Sequence, residues 1–151
     1  MALFSRKPVT KDYTTRVVRM HGTCNACKKT FDGSTSLENY YICPDCGKYM
    51  TVSAKARITM VVDEGTFEPL FEDVSICDPL QTPGYPEKLA AAQAKSGNSE
   101  AVTIGYGKIG GHETVIGVCD PGFMIGSMGR VMGERITRAF ERATERRLPV
   151  I

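Results

Sequence analysis

Apolar positions along the chain fall into a few periodic stretches separated by glycine and proline. The longest lies near the end: Met128, Met132, Ile136, Ala139, Phe140 and Ala143 recur at steps of three or four, opposite Arg130, Glu134, Arg138, Glu141 and Arg142. This predicts a helix starting near Gly126-Ser127, packed on one face and ended by Pro149. Before it, Ala101 to Lys108 and His112 to Asp120 are β-rich runs around Gly110-Gly111, a pair suited to a tight hairpin turn, with Val115, Ile116 and Val118 as core residues of the second strand. Pro86 stands at a first helical position, and the strong helix formers from Glu87 to Lys95 end before Gly97, which predicts a second helix. Ser53 is the expected N-cap of a third, from Ala54 to Asp63, directing Ile58, Met60 and Val61/Val62 inward and stopping at Gly65.

The remainder is less regular. Residues 66–83 have no period and contain Pro69, Pro79 and Pro83, as expected of a connecting loop with short extended pieces. Residues 1–14 read as a loose leader, Arg16 to Arg19 as a strand, Phe31-Asp32-Gly33-Ser34 as a turn and Leu37 to Ile42 as a returning strand. Val150-Ile151 read as the first residues of a buried strand. A sheet edge and a helix face are then left without partners, so the expected fold is unfinished and is completed by a second polypeptide or a longer chain.

Chemistry concentrates in four cysteines. Cys24-Asn25-Ala26-Cys27 and Cys43-Pro44-Asp45-Cys46 are two Cys-x2-Cys knuckles separated by fifteen residues, the spacing at which four thiolates close a tetrahedron around one Zn²⁺. A redox Cys-x-x-Cys would explain one pair but not two. The module expected is a zinc ribbon, and a closed four-sulfur site has no open position for water or substrate, so its metal is structural. His21 lies three residues before Cys24, but four cysteines already fill the tetrahedron. Cys77 and Cys119 stand alone, which leaves no disulfide framework and makes a reducing cytoplasm the default. No apolar run reaches the roughly 18 residues of a membrane span.

With 151 residues, 42% of them hydrophobic, the chain divides best into a basic leader and ribbon over 1–52 and a second domain over 53–151. The net charge of +2 hides an asymmetry: residues 1–60 carry ten Lys/Arg against four Asp/Glu, and residues 61–151 nine against thirteen. The basic ribbon half would suit a polyanion, nucleic acid or a phosphate-bearing cofactor; a solvated surface explains the same charges. His112 follows the Gly-Gly turn and reads as an exposed turn residue rather than a general base.

The order of parts is recognisable. The ribbon with Cys-Pro-Asp-Cys-Gly, Asp63-Glu64-Gly65-Thr66-Phe67 followed by Leu70 to Asp73, Tyr85-Pro86-Glu87-Lys88-Leu89, Phe123-Met124-Ile125-Gly126-Ser127-Met128-Gly129, Gly133 to Ala139 and Leu148-Pro149 closely resemble the β subunits of bacterial acetyl-CoA carboxylase carboxyltransferases over about residues 20–151. The resemblance implies an α/β fold: a four-cysteine zinc ribbon followed by the first half of a crotonase-like domain of β-β-α units. It also implies transfer of a carboxyl group from carboxybiotin, on its carrier protein, to acetyl-CoA, giving malonyl-CoA. The implied partners are a carboxyltransferase α subunit, a chain supplying the second half of the β domain, and the biotin carboxyl carrier protein.

Such a reaction builds negative charge on an oxygen, which preorganised backbone N–H groups in a water-poor pocket stabilise best. By resemblance, one such donor is the N–H of Ile125 or Gly126, with Gly126, Ser127 and Gly129 binding substrate at the head of the long helix. The same glycines would also serve close helix–strand packing and the N-cap. The family's second oxyanion element, a Gly-Gly-Ala-Arg segment after the Leu-Pro strand, is not reached by Ile151, so activity is expected only with partner chains. Arg130 stands where family members often have Ser, Ile125 where they have Gly, and Pro121-Gly122 where they have neither; a relative with an altered substrate, or a decarboxylase-like one, stays open. The alternatives to the enzyme are a noncatalytic scaffold and a nucleic-acid-binding ribbon. The latter requires Phe31, Tyr40, Tyr41 and Tyr49 to be exposed beside Lys28 and Lys48.

Overall fold

The chain is described here from a computed structural model over residues 22–74 and 78–151. His21 and Cys77, and the leader and strand expected before residue 22, lie outside the described residues.

The ribbon opens with two short antiparallel strands, β1 (Gly22–Thr23) and β2 (Thr30–Phe31), joined across the first knuckle. The stretch expected to turn and then return as a strand is instead a short helix, α1 (Gly33–Glu38). Its cause is Asp32, whose carboxylate accepts the Thr35 N–H and the Ser34 hydroxyl, each at 2.7 Å, while its carbonyl accepts the Ser36 N–H. This is an N-cap, and it converts a turn into the first turn of a helix. The return strand shrinks to one antiparallel bridge, Ile42 with Tyr49.

Helix α2 (Ala54–Val61) follows as expected, with the Ser53 hydroxyl accepting the Ala56 N–H at 3.3 Å. It has two apolar sides. Ala56 and Met60 pack against the ribbon's Cys24, Tyr41, Cys43 and Met50, whereas Ile58 and the C-cap residue Val62 pack on Phe67, Ile116 and Val118. Of the Val61/Val62 pair expected inward, Val62 is buried and Val61 is 36% exposed.

The sheet is antiparallel in the order β3–β4–β5, with β3 (Glu68–Leu70) formed by one of the extended pieces expected in the connecting loop. Helix α3 (Tyr85–Ser96) lies between β3 and β4 in the chain. Pro86 is in its first turn, and Gly97 caps its end with φ 70°, donating its N–H to the Gln93 carbonyl. Strands β4 (Val102–Ile109) and β5 (His112–Cys119) pair over their full length, Val102 with Cys119 through Ile109 with His112. Gly110 and Gly111 both have positive φ, 59° and 84°, as a two-residue hairpin turn with right-handed strand twist requires.

Helix α4 (Arg130–Arg146) completes a β-β-α unit. Its Met132, Ala139 and Ala143 are buried against Val102, Ile104 and Val115, with Leu89 and Ala92 of α3 at the margin. Side chains alternate across a strand, so the opposite sheet face carries Ile116 and Val118 and is covered by α2. On that face β4 has glycines: a Cβ on Gly105 would run into the Phe67 ring, and one on Gly107 would lie 2.7 Å from a Val62 methyl. Beyond α4, Val150 pairs in parallel with Val115, and the Ile151 N–H donates to the Val115 carbonyl at 3.0 Å. The expected strand pairing is present, but its side chains are not buried, Val150 being 38% and Ile151 61% exposed.

Two expectations for α4 need correction. It begins at Arg130, because Met124–Gly126 forms a separate 3-10 turn with left-handed backbone. Met128 and Phe140, placed in the core by their spacing, are 82% and 55% exposed, while Arg135 takes a buried position at 4% exposure. Arg135 is held by distant acceptors: the carbonyls of Val102 and Val74 and the Ser99 hydroxyl. Burial lowers its affinity for a proton, and the charges of Glu100, Glu72 and Asp73 oppose that shift. Among the described residues no helix is long and apolar enough to cross a membrane.

Candidate metal centre and candidate active-site turn

The four sulfurs of Cys24, Cys27, Cys43 and Cys46 lie within 4.8 Å of one another. Two of the separations, Cys24 to Cys46 and Cys27 to Cys43, are 3.6 Å. A zinc–sulfur bond of about 2.3 Å makes the edge of a tetrahedron about 3.8 Å, so the cluster fits a tetrahedral thiolate site in donor type, number and spacing.

Both knuckles share one backbone design. The Cys24 N–H donates to the Lys29 carbonyl and the Lys28 N–H to the Cys24 carbonyl; the second knuckle repeats this with Cys43, Lys48 and Gly47, every bond being 2.9 Å. The residue after each second cysteine is left-handed, Lys28 at φ 63° and Gly47 at φ 68°. The N–H of Cys27 and then that of Ala26 favour the Cys24 thiolate and outweigh burial, bringing it down to about 6. At Cys46 the Lys48 N–H pulls the same way, but burial and the neighbouring sulfurs prevail and push the thiol up to about 12. Four thiolates this close need a cation between them, which a divalent metal supplies. Lys29 forms an ion pair with Asp45 at 2.9 Å, linking one knuckle to the other.

The second candidate site is the segment entering α4. Phe123 is buried; Met124, Ile125 and Gly126 then have φ values of 44°, 60° and 73°, three successive left-handed residues. For non-glycine residues this conformation costs about 1–2 kcal/mol each and persists only where the surroundings impose it. The N–H of Gly126 donates to the Phe123 carbonyl at 2.8 Å and that of Ser127 to the Met124 carbonyl at 3.2 Å. Of the two expected backbone donors, Gly126 is therefore engaged within its own turn, whereas the Ile125 N–H has no partner among the described residues. The Ile125 side chain is 93% exposed. Gly129 is the N-cap of α4 without a side-chain cap. Ser127 and Gly129, with Tyr85, Glu100, Phe123 and Met124, line a cavity of about 150 Å³.

The residue that spacing and motif did not single out is Asp120. It is 4% exposed, and its Oδ2 accepts the Ala54 N–H at 3.0 Å and the Asn98 amide at 2.8 Å, while Oδ1 accepts the Gly122 N–H at 2.8 Å. An Asp closing a strand before Pro-Gly is the only hint the sequence offers. His112 is exposed at the end of the hairpin turn, and Cys119 is an exposed free thiol. Of the four aromatics required by a nucleic-acid-binding ribbon, Tyr40 and Tyr49 are exposed, but Tyr41 is buried and Phe31 packs against the ribbon core.

A carboxyl transferase domain spans residues 51–151, and the chain belongs to that family. It is 47% identical over 128 residues to "Acetyl-coenzyme A carboxylase carboxyl transferase subunit beta 2" of Lachnospira eligens, covering 85% of this chain and 49% of that protein. A Natranaerobius thermophilus protein named for both "subunits beta/alpha" of the same transferase is 40% identical over 128 residues, covering 85% of this chain and 21% of its own length. The chain spans about half the length of the single-subunit curated relatives it matches. Among solved structures it resembles transcarboxylase 12S, with a TM-score of 0.55 at 19% identity over 66% of this chain and 18% of the other, a likeness that shows the fold.

Proposed function

We propose that the chain is a β-type component of a biotin-dependent carboxyltransferase, in which residues 1–52 form a leader and zinc ribbon and residues 53–151 the first half of a crotonase-like domain. The reaction moves a carboxyl group from carboxybiotin, on its carrier protein, to acetyl-CoA. A proton leaves the thioester methyl, the resulting carbanion bonds to the carboxyl carbon, the carbon–nitrogen bond to biotin breaks, and the released biotin nitrogen takes a proton, giving malonyl-CoA. Negative charge develops on the thioester oxygen and on the biotin ureido oxygen, where fixed N–H donors lower the barrier.

The observation that carries this reading is the left-handed Met124–Gly126 turn at the head of α4 in a chain of this family. That the Ile125 N–H has no partner among the described residues supports Ile125 over Gly126 as the oxyanion donor, with Gly126 shaping the turn. Ser127 and Gly129, on the adjoining cavity, then contact the acyl-CoA. Zn²⁺ bound by Cys24, Cys27, Cys43 and Cys46 is structural: it fixes the ribbon beside α2 and takes no part in proton or carboxyl transfer. The exposed Lys28 and Lys48 favour approach of the CoA phosphates. The relative that joins beta and alpha subunits in one chain supports an α-type partner, and the length of the other relatives supports a β domain whose second half, in this polypeptide or another, completes the pocket. The setting is the cytoplasm.

The test is reconstitution of the zinc-loaded chain with an α-type subunit, a chain carrying the remaining half of the family domain, and carboxybiotinylated carrier protein. Malonyl-CoA formed only in the full mixture is the expected result. No turnover with any such combination, together with salt-sensitive RNA binding by the chain alone, would replace the enzyme with a binding ribbon.

A further inference from the structure

Asp120 connects three parts of the molecule through one buried side chain. Its Oδ2 accepts the N–H of Ala54, the first residue of α2, sixty-six positions away in the sequence, and the side-chain amide of Asn98 beyond the end of α3. Its Oδ1 accepts the Gly122 N–H, and its own carbonyl accepts the Phe123 N–H at 3.2 Å. The Phe123 carbonyl in turn receives the Gly126 N–H. Of the two successive amides entering the turn, that of Gly122 is thus held by the Asp120 carboxylate and that of Phe123 by the main-chain carbonyl of the same residue, and the Phe123 carbonyl then closes the turn. Gly122 has the space for this because it lacks a Cβ, which would lie 3.0 Å from Oδ1.

We propose that Asp120 is a positioning residue for the Met124–Gly126 turn, fixing it against the start of α2, the helix on which the ribbon rests. The proposal rests on the reading of that turn as an oxyanion element. Asp120 does not touch substrate; it sets where the Ile125 N–H stands when charge develops. A displacement near 1 Å at such a donor costs catalysis on the order of 10²-fold while leaving remote substrate contacts in place.

The fold contains a matched control at the opposite end of the same hairpin. Asp63 accepts the Gly110 and Gly111 N–H groups at 3.0 and 2.7 Å, the same carboxylate-to-backbone chemistry far along the chain from the turn. Asp120→Asn and Asp63→Asn are compared in the zinc-loaded full chain by amide hydrogen exchange, and in the reconstituted transferase by kcat and KM for acetyl-CoA. Asp120→Asn is expected to speed exchange across residues 122–127 at least tenfold and to lower kcat about 10- to 100-fold with KM within about twofold. Asp63→Asn loosens the 110–111 turn and leaves kcat unchanged. Gly122→Ala, which crowds Oδ1 but keeps the carboxylate, shifts exchange and kcat in the same direction by a smaller factor and serves if Asp120→Asn does not fold. Unchanged exchange at 122–127, or an equal fall of kcat in both Asp variants, would overturn the proposal. An inactive wild-type mixture counts against the enzyme reading alone, and the exchange comparison then decides the role of Asp120.

Discussion

The ribbon and the sheet–helix layer are built by different means. In the ribbon the buried apolar set is small, chiefly Tyr41, Met50 and Ala56 around two of the cysteines, and its strands are two residues long. In the layer behind it, Val102, Ile104, Val115, Met132, Ala139 and Ala143 are buried together between strands of eight residues and a seventeen-residue helix. One region has little apolar burial and brings four thiols together at a spacing that fits a metal ion, whereas the other is held by apolar burial. They meet at α2, whose two sides serve one core each, so either region can lose order without removing all of the support on the other.

The largest effect that tests this division is metal removal. Chelation, or Cys43→Ser, removes a free energy of about 10–16 kcal/mol in comparable zinc sites. It is expected to release exchange protection over residues 22–52 while β4, β5 and α4 stay protected; loss of protection in both regions together would show a single cooperative unit. Met132→Ala attacks the other side. Emptying this fully buried position is expected to cost about 2–5 kcal/mol and to lower the melting temperature by about 5–15 °C, with zinc content by atomic absorption unchanged. The smallest effect lies at the junction. Ser53→Ala removes one of the two caps at the start of α2 and is expected to cost about 1 kcal/mol in denaturant titration, shared between the two regions' exchange profiles.

Locally determined parts of the fold were legible in the sequence. Pro86 and Gly97 bound α3 because one lacks an N–H where a helix has no use for it and the other adopts positive φ without strain. Gly110-Gly111 marked the hairpin for the same conformational reason, and the four cysteines announced a cluster through ligand spacing alone. What stayed hidden depends on partners far along the chain. Arg135 is buried because carbonyls of Val74 and Val102 accept from it, which no helical period encodes, and Phe140 is exposed although its spacing is that of a core residue. Asp32 was visible but ambiguous, since the same carboxylate can close a turn or cap a helix. At the candidate active-site turn the glycines were legible, but the Asp120 hydrogen bonds beside it were not, because that acceptor and two of its donors stand twenty-two and sixty-six residues apart.

Gly105 and Gly107 leave one face of β4 to be filled from elsewhere, by the Phe67 ring and the Val62 methyls. A strand normally supplies its own side chains to the layer beside it; here the backbone is the floor and its neighbours are the furniture. Substitution at either glycine alone is blocked by a group already in place, and truncating Phe67 or Val62 alone leaves a hole. Inheritance is thereby constrained differently at the two positions: at 105 a Cβ would also lie 2.6 Å from the Glu68 carbonyl oxygen, so no change at 67 admits one, whereas among descendants of this sequence bulk gained at 107 is tolerated only where bulk has been given up at 62.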